Sequence, residues 1–560
     1  MRSSAPRVSR TEVGGETGAV ATGHQAAADA GARVLEEGGN AIDAAVCAAF
    51  MSFVVEPGMC GLGGHGRIAI HHASSRTTTA IDHFIVAPRA ATPEAALEAL
   101  ARLGMAPEHA RFAGALSVGV FGTVAGLAAA HERFGGLPFA RLVEPAIEAA
   151  DRGVEVDFGI QQAIIGRIDE LPRHSAAQDH LLPDGRVPRA GDVRAGGDRL
   201  DLSDLARTLR AVAERGARAL YDGPIAQTIH REMRRLGGLL DAADLKAYRP
   251  RIAVDDRYRY RALEVSTCGD TIAIETLNIL ERFDLAWQSA DGAAFRHIFA
   301  EAQAQAFVDA FAYAGDPAEG GTPVAGLTSK DYAATLAARI APSRAQEAFV
   351  AGDPWAWQEA RPAAGRPVDR GAVTAFEGTT KICAADRRGN AVSVITSLGS
   401  AFGSLVLVPG TGIYLGNAMQ WFDPRPGRVN SVAPGRMPLY GAPVLIVHDG
   451  RGACGALAGS GGYYIQSAVL LPFVYHADLG VGLQAALEMP RQFCRGDALE
   501  LDSRVGEECR QALVDMGHRV TVVPYSPLSR RFGRSAAVWR DEDGALHAAC
   551  EPLDGGAAVV

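Results

Sequence analysis

Helical spacing of apolar residues dominates the first part of this chain, and short strand-like runs dominate after residue 379. Ala, Val and Leu recur at helical spacing from His24 to Glu37, and Gly38-Gly39 supplies a C-cap signal. Asn40-Ala41-Ile42-Asp43 opens a second segment running to about Val54. It is apolar nearly all round, which predicts a buried helix. A Gly-rich turn spans Glu56 to Gly66, and Arg67 to His72 and Thr78 to Phe84 read as partner strands. Those glycines follow a helix and lead into a strand, the reverse of a dinucleotide fingerprint, and His65 reads as a turn residue rather than a ligand. Residues 92–240 alternate helical patterns with polar loops, with 165–200 predicted as surface loops. Val265 to Cys268 reads as a strand, Ile272 to Phe283 as a helix, and His297 to Ala314 as an amphipathic helix closed by Gly315-Asp316-Pro317.

Residues 343–375 lose periodicity and are rich in Ala, Pro, Arg and Gly, which predicts a mobile linker. Beyond it, Ala391 to Leu398, Ser404 to Val408 and Ile413 to Leu415 read as strands. Val444 to His448 and Ala453 to Ala458 flank Asp449-Gly450-Arg451-Gly452, a hairpin signal. Gly459-Ser460-Gly461-Gly462 opens a helix to about Leu479, and a helix at 504–516 precedes strands at 519–524, 535–539 and 545–550. Strands grouped after helices predict an α+β layered architecture. No internal repeat is visible.

Composition narrows the function. With 560 residues, 48% hydrophobic and 21% charged, the chain is an ordinary globular one. A net charge of −9 argues against nucleic acid as a partner. The eight cysteines form no CxxC pair and no Cys/His cluster at zinc spacing, so they read as small buried residues. No apolar run approaches a membrane span, and the first twenty residues carry Arg2, Arg7 and Arg10 without an apolar core segment. The expectation is a cytoplasmic, reduced protein without a membrane partner.

The chemistry centres on Gly378-Thr379-Thr380. Inside a chain, a Thr hydroxyl lacks a base. If the Gly378–Thr379 bond is cut, Thr379 gains a free α-amine whose ordinary pKa of about 7.7–8.0 leaves much of it neutral near physiological pH. That amine can take the proton from its own residue's hydroxyl. A Thr-rich edge strand after a loop is the structural alternative for the same residues.

Further stretches connect this Thr pair to a family. They are Gly38 to Ala45, Val55-Glu56-Pro57 with Gly61-Leu62-Gly63-Gly64, and Gly122-Thr123-Val124-Ala125-Gly126. Leu277 to Glu281, Asp386 to Val394 and Pro409 to Ile413 complete the set. On these the chain resembles the γ-glutamyltranspeptidase family of N-terminal-nucleophile hydrolases over roughly residues 17–555. The resemblance implies a four-layer αββα sandwich, made as a proenzyme that cuts itself between Gly378 and Thr379. Segments 1–378 and 379–560 would then remain in one unit, with self-association to a dimer of such heterodimers. It implies Thr379 as nucleophile, Ser397 as the second hydroxyl, and backbone N–H groups of Gly461 and Gly462 as oxyanion donors. Neither a metal nor an organic cofactor is called for.

The polar anchors for a glutamyl group are missing. The family's carboxylate-binding Arg falls on Phe84 and its Asn on Gly399. Its Gln and Asp fall on Ala418 and Trp421, and its Ser pair on Tyr440-Gly441. A zwitterion in such a pocket would face several kcal/mol of desolvation. Lys381, His83, Arg67 and Arg436 are the candidate replacement cations. The second half resembles the γ-glutamyltransferase-like amidase branch, which includes oxamate amidohydrolase. The leading expectation is therefore a self-processing amidohydrolase or acyltransferase acting on a small-molecule amide with an apolar or small acyl group. The alternatives are a γ-glutamyltranspeptidase or glutathione hydrolase, and an uncut, inactive homologue that only binds.

Overall fold

The computed structural model describes residues 9–560 apart from 103, 105–113, 193–194, 287, 320, 360–376 and 527–530. Fourteen strands build its centre: β1 (Val13–Gly15), β2 (Gly18–Thr22), β3 (His65–His72), β4 (Thr77–Asp82), β5 (Arg251–Val254), β6 (Tyr258–Tyr260) and β7 (Leu263–Ser266) come from the first part. β8 (Glu377–Asp386), β9 (Ala391–Ser400), β10 (Leu445–Asp449), β11 (Gly452–Ser460), β12 (Arg534–Arg540), β13 (Leu546–Cys550) and β14 (Gly556–Val559) follow. They form two seven-stranded antiparallel sheets, ordered β14-β2-β8-β9-β3-β4-β5 and β1-β13-β12-β11-β10-β7-β6. The two sheets stack, with the Ser393 hydroxyl on β9 donating to the Leu457 carbonyl on β11 at 2.6 Å. Strand parity then divides the residues of β8. Ile382 and Ala384 face one helical layer, while Cys383 and Ala385 face the other sheet.

The helical layers explain the long apolar runs. On one side lie α1 (Gln25–Glu36), α2 (Ala41–Val55), α3 (Thr123–Phe134), α4 (Phe139–Asp151) and α5 (Ser203–Arg215). Every residue of α2 is buried, as its unbroken apolar pattern predicts. Its start is fixed by a capping box between Asn40 and Asp43. On the other side lie α6 (Thr271–Leu280), α7 (Ala293–Tyr313), α8 (Lys330–Ala337), α9 (Ile465–Ala477) and α10 (Leu483–Glu488). The four-layer αββα expectation holds. No helix among the described residues is long and apolar enough to cross a membrane. All eight cysteines are unpaired thiols, and all but the half-buried Cys509 are buried.

Three local expectations change. The helix expected at 297–314 begins at Ala293 and is not amphipathic: Arg296, His297, Glu301, Gln303, Gln305 and Asp309 are all buried on it. Each has a polar partner; Tyr332, for example, donates to Asp309 at 2.5 Å and Gln303 to Ser467 at 3.0 Å. The region 165–200 is more than loop, because helix Ser175–Leu181 buries Ala177 and Leu181. Of the linker, 343–359 is packed, with Trp355 buried and the Gly352 N–H on Asp309 at 2.9 Å. Its remainder, 360–375, lies outside the described residues.

One carboxylate locks the β8–β9 hairpin to α2. Asp386 accepts from the N–H groups of Ala41, Arg388 and Asn390 and from the Asn390 amide, at 2.8–3.1 Å. Removing it strands several buried donors, each costing about 1–3 kcal/mol. Asp386→Ala is therefore expected to lower stability by roughly 2–4 kcal/mol, read as a shift in the urea unfolding midpoint.

Candidate functional site

Thr379 lies inside β8, the third strand of its sheet, and is buried. It is the third residue of the strand rather than its first, because the uncut chain goes on pairing from Thr379 back to Glu377 opposite Ser400. The Gly378–Thr379 bond is accordingly buried, not exposed at the end of a linker. The ladder is interrupted there. Gly378 pairs with Gly399 and Thr379 with Ser397, leaving Leu398 as an extra residue. Leu398 turns its N–H out of the ladder to the Met59 carbonyl at 3.1 Å. Gly399 takes the left-handed conformation, φ +92°, that lets the chain rejoin. A side chain at Gly378 would come within 2.7 Å of the carbonyls of Gly58 and Ser400, so only glycine fits before the Thr.

The bulge gathers three groups on Ser397. Its hydroxyl donates to the Gly378 carbonyl at 2.5 Å and accepts from the Gly399 N–H at 2.9 Å. Thr379 Oγ1 lies 2.9 Å from the same oxygen. Since the Ser397 proton goes to Gly378, the Thr379 hydroxyl donates to Ser397. The carbonyl of the candidate scissile bond, the candidate nucleophile and a polarising donor thus share one hydrogen-bond chain. Thr380 points to the opposite face, where its hydroxyl donates to Glu56 at 2.7 Å. Burial raises the Glu56 carboxyl, with Lys381 opposing the shift.

Gly461 and Gly462 follow β11 and lead through a short turn into α9. Both have positive φ, +124° and +58°. Gly461 packs on Gly533, whose Cα would lie 2.7 Å from any added Cβ. Two successive bare glycine N–H groups at a helix entrance suit an oxyanion.

The residues that replace the glutamyl anchors divide into two groups. Phe84, Trp421 and Tyr440 come together: Phe84 stacks on Tyr440 at 4.2 Å between centroids and on Trp421 at 5.7 Å. Such pairs contribute about 0.5–1.5 kcal/mol each beyond their burial. Gly399, Ala418 and Gly441 act as spacers instead. A Cβ at Gly399 would meet Asn417 Oδ1, and one at Gly441 would meet Ile272 at 2.7 Å. Ala418 is buried directly after Asn417, whose side chain accepts from the Ser400 N–H and donates to its hydroxyl, both at 2.9 Å.

His65 corrects the turn-residue expectation. It is the first residue of β3, sits opposite Ser397, and meets the rings of Phe84 at 4.5 Å and Trp421 at 5.4 Å edge-on. Burial pushes its imidazole down to about 3, so it is neutral. The four candidate cations are also accounted for. Lys381 is buried against Asp554 at 2.9 Å, and Arg67 against Asp82 at 3.2 Å and Asp270 at 3.9 Å. Arg436 donates to the Ser431 carbonyl. His83 is buried beside Gly126 and held neutral, down to about 3, by burial. Lys381 and Arg67 are thus paired with carboxylates, and His83 is neutral.

Glu56, His65, Asn417 and Asp554 were not singled out as site residues from sequence. Glu56 lies in the Val55-Glu56-Pro57 motif, but its partner Thr380 is 324 residues away. Beside Glu56 and Gly58 opens a cleft of about 310 Å³, whose rim includes Met59, Arg534 and Asp554.

Two stacked antiparallel sheets between helical layers, with a hydroxyl residue held on an inner strand, define the N-terminal-nucleophile hydrolase class. Within it, the chain belongs to the γ-glutamyltranspeptidase family: the gamma-glutamyltranspeptidase family model matches residues 27–560. That membership makes it a hydrolase acting on amide bonds. It is 35% identical over 552 residues to an acylase ACY 1 proenzyme of Pseudomonas sp. (strain V22), covering 97% of this chain and 93% of the relative. It is 32% identical over 519 residues to a glutathione hydrolase proenzyme of Bacillus subtilis, covering 91% and 86%. The crystal structure of a cephalosporin acylase from Bacillus halodurans superposes with a TM-score of 0.87 at 28% identity, covering 100% of this chain and 99% of that one.

The neutral buried imidazoles carry a pH signature. An unfolded His titrates near 6.5, whereas folded His65 and His83 stay neutral down to about 3. Between those values the unfolded chain binds more protons, so stability falls as pH drops from about 6.5 toward 3. Thermal midpoints measured from pH 7 to pH 5 are expected to decline, and His65→Phe is expected to flatten that decline.

Proposed function

We propose that this protein is a self-processing amidohydrolase whose nucleophile is the freed N-terminal Thr379, acting on a small-molecule amide with an apolar or small acyl group. The observation that carries it is the hydrogen-bond chain from Thr379 through Ser397 to the Gly378 carbonyl.

In processing, Thr379 Oγ1 attacks the Gly378 carbonyl carbon. The C–O bond forms, the C–N bond breaks, and the hydroxyl proton ends on the departing amine. Ser397 Oγ–H, already on the Gly378 oxygen, stabilises the oxyanion that develops there. Water then hydrolyses the ester, releasing the Gly378 carboxylate of segment 1–378 and a free amine on segment 379–560. In turnover the same hydroxyl attacks the substrate carbonyl while the α-amine takes its proton and delivers it to the leaving amine. The N–H groups of Gly461 and Gly462 receive the oxyanion, and water resolves the acyl-enzyme.

Acyl selectivity follows from Phe84, Trp421 and Tyr440, which replace charged anchors with stacked rings. Arg67 and Lys381 each already pair with an acidic partner, which leaves less of their charge for a glutamyl carboxylate. The acylase relatives support this reading, and the glutathione hydrolase relatives define its competitor.

Intact-mass analysis of purified protein is expected to find two chains with a new terminus at Thr379. Thr379→Ala should stay as one chain, and Ser397→Ala should process at least about tenfold more slowly, the loss of one oxyanion donor. On a panel of p-nitroanilides, apolar acyl groups should turn over faster than γ-glutamyl. A preference for γ-glutamyl overturns the pocket argument, and cleavage of Thr379→Ala overturns the nucleophile.

A further inference from the structure

Away from the nucleophile, helix α7 and the turn before strand Val520–Val523 bring together His297, Glu301 and His518, whose ligand atoms all lie within 4.8 Å of one another. His297 and Glu301 are four residues apart and share one helix face. Both are buried, and His518 is half-buried, so the cluster has one side toward solvent.

The tautomers are set by the surroundings. His297 Nε2 lies 2.8 Å from the Ala341 carbonyl, which only accepts, so that nitrogen carries the proton. The Nδ1 lone pair therefore points into the cluster, where His518 Nε2 stands 2.8 Å away. An outer-nitrogen bond to a backbone carbonyl is how metal-ligating histidines are held. The carboxylate is similarly oriented from behind: the Gln346 side chain donates to one Glu301 oxygen at 2.9 Å and its N–H approaches the other at 3.3 Å. These are neutral donors, so they bring the buried carboxylate no opposite charge.

We propose that His297 Nδ1, His518 Nε2 and Glu301 form a binding site for a divalent transition cation of the zinc type, with water completing the coordination. Two nitrogens sharing a tetrahedral zinc stand about 3.3 Å apart, so the present 2.8 Å contact needs to open by only about half an ångström. On binding, His518 passes its proton from Nε2 to Nδ1, freeing the lone pair. The cation supplies the positive charge that Glu301 otherwise lacks. It ties α7, residues 341–346 and the turn at His518 into one unit, and so anchors the segment that leads on toward Gly378.

The test uses the full-length, tag-free protein after EDTA treatment and gel filtration. Co2+ titration is expected to give the visible absorption bands of low-coordinate cobalt, bleached by Zn2+, with Zn2+ raising the thermal midpoint. His518→Ala, at a half-buried position, should fold as the parent does but lose the bands and the shift. Glu301→Gln should weaken Co2+ affinity by at least about tenfold. Absence of bands in the parent protein, or bands and shift unchanged in both variants, overturns the site.

Discussion

A single side-chain hydroxyl organises the reactive region. Ser397 Oγ is saturated: it donates to Gly378, and it accepts from Gly399 and Thr379. Those contacts require one extra residue on β9, because only then does the Ser397 hydroxyl lie level with both the Thr379 side chain and the carbonyl before it. The bulge at Leu398 supplies that residue, and the left-handed Gly399 returns the strand to register. The loop from Glu56 to Gly64 holds the distortion in place, through Met59 on Leu398 and Gly58 on Phe402. A regular ladder at this point would place Ser397 too far from one of its partners to serve both.

Around this point charged side chains are paired and a cluster of rings stands beside them, with the Arg67 guanidinium 5.7 Å from the Tyr440 ring centroid. Lys381 and Arg67 project between the sheets, yet each is neutralised by an acidic group within 4.0 Å. The buried histidines are held neutral. What remains next to Ser397 is a wall of rings from Phe84, Trp421, Tyr440 and His65, drawn from two distant parts of the chain. On the proposed reading, such a surface gives an apolar acyl group favourable contact. On the proposed reading, selectivity resides in the side chains of that wall, whereas the bond-breaking geometry resides in backbone and hydroxyls.

The outer helix α7 shows a different use of buried polarity. Its six polar side chains would read as a solvent face on any isolated helix. In the fold they meet Asp291, Gln492, Ser467, Tyr332, Gln346 and His518, contributed by segments that cover the helix from outside. Periodicity registers the polarity of a face, and it carries no information about whether another segment will later cover that face.

The sequence by itself determined the helices capped at His24, Asn40 and Asp270 and the strand-like runs of β8 through β13, each by local spacing. Thr379 is the expectation of its Gly-Thr-Thr stretch, and Ser397, Gly461 and Gly462 are the expectation of the family resemblance. Only the tertiary structure decided that Thr379 is held within a strand, that Leu398 bulges, and that Gly399, Ala418 and Gly441 are spacers while Phe84, Trp421 and Tyr440 stack. It alone revealed that His65 joins them, that Lys381 and Arg67 pair with carboxylates, and that His83 is neutral. The reason is distance along the chain. Pairs such as Lys381 with Asp554, Thr380 with Glu56 and His297 with His518 are separated by 173, 324 and 221 residues, and no local pattern encodes a contact that sheet stacking creates.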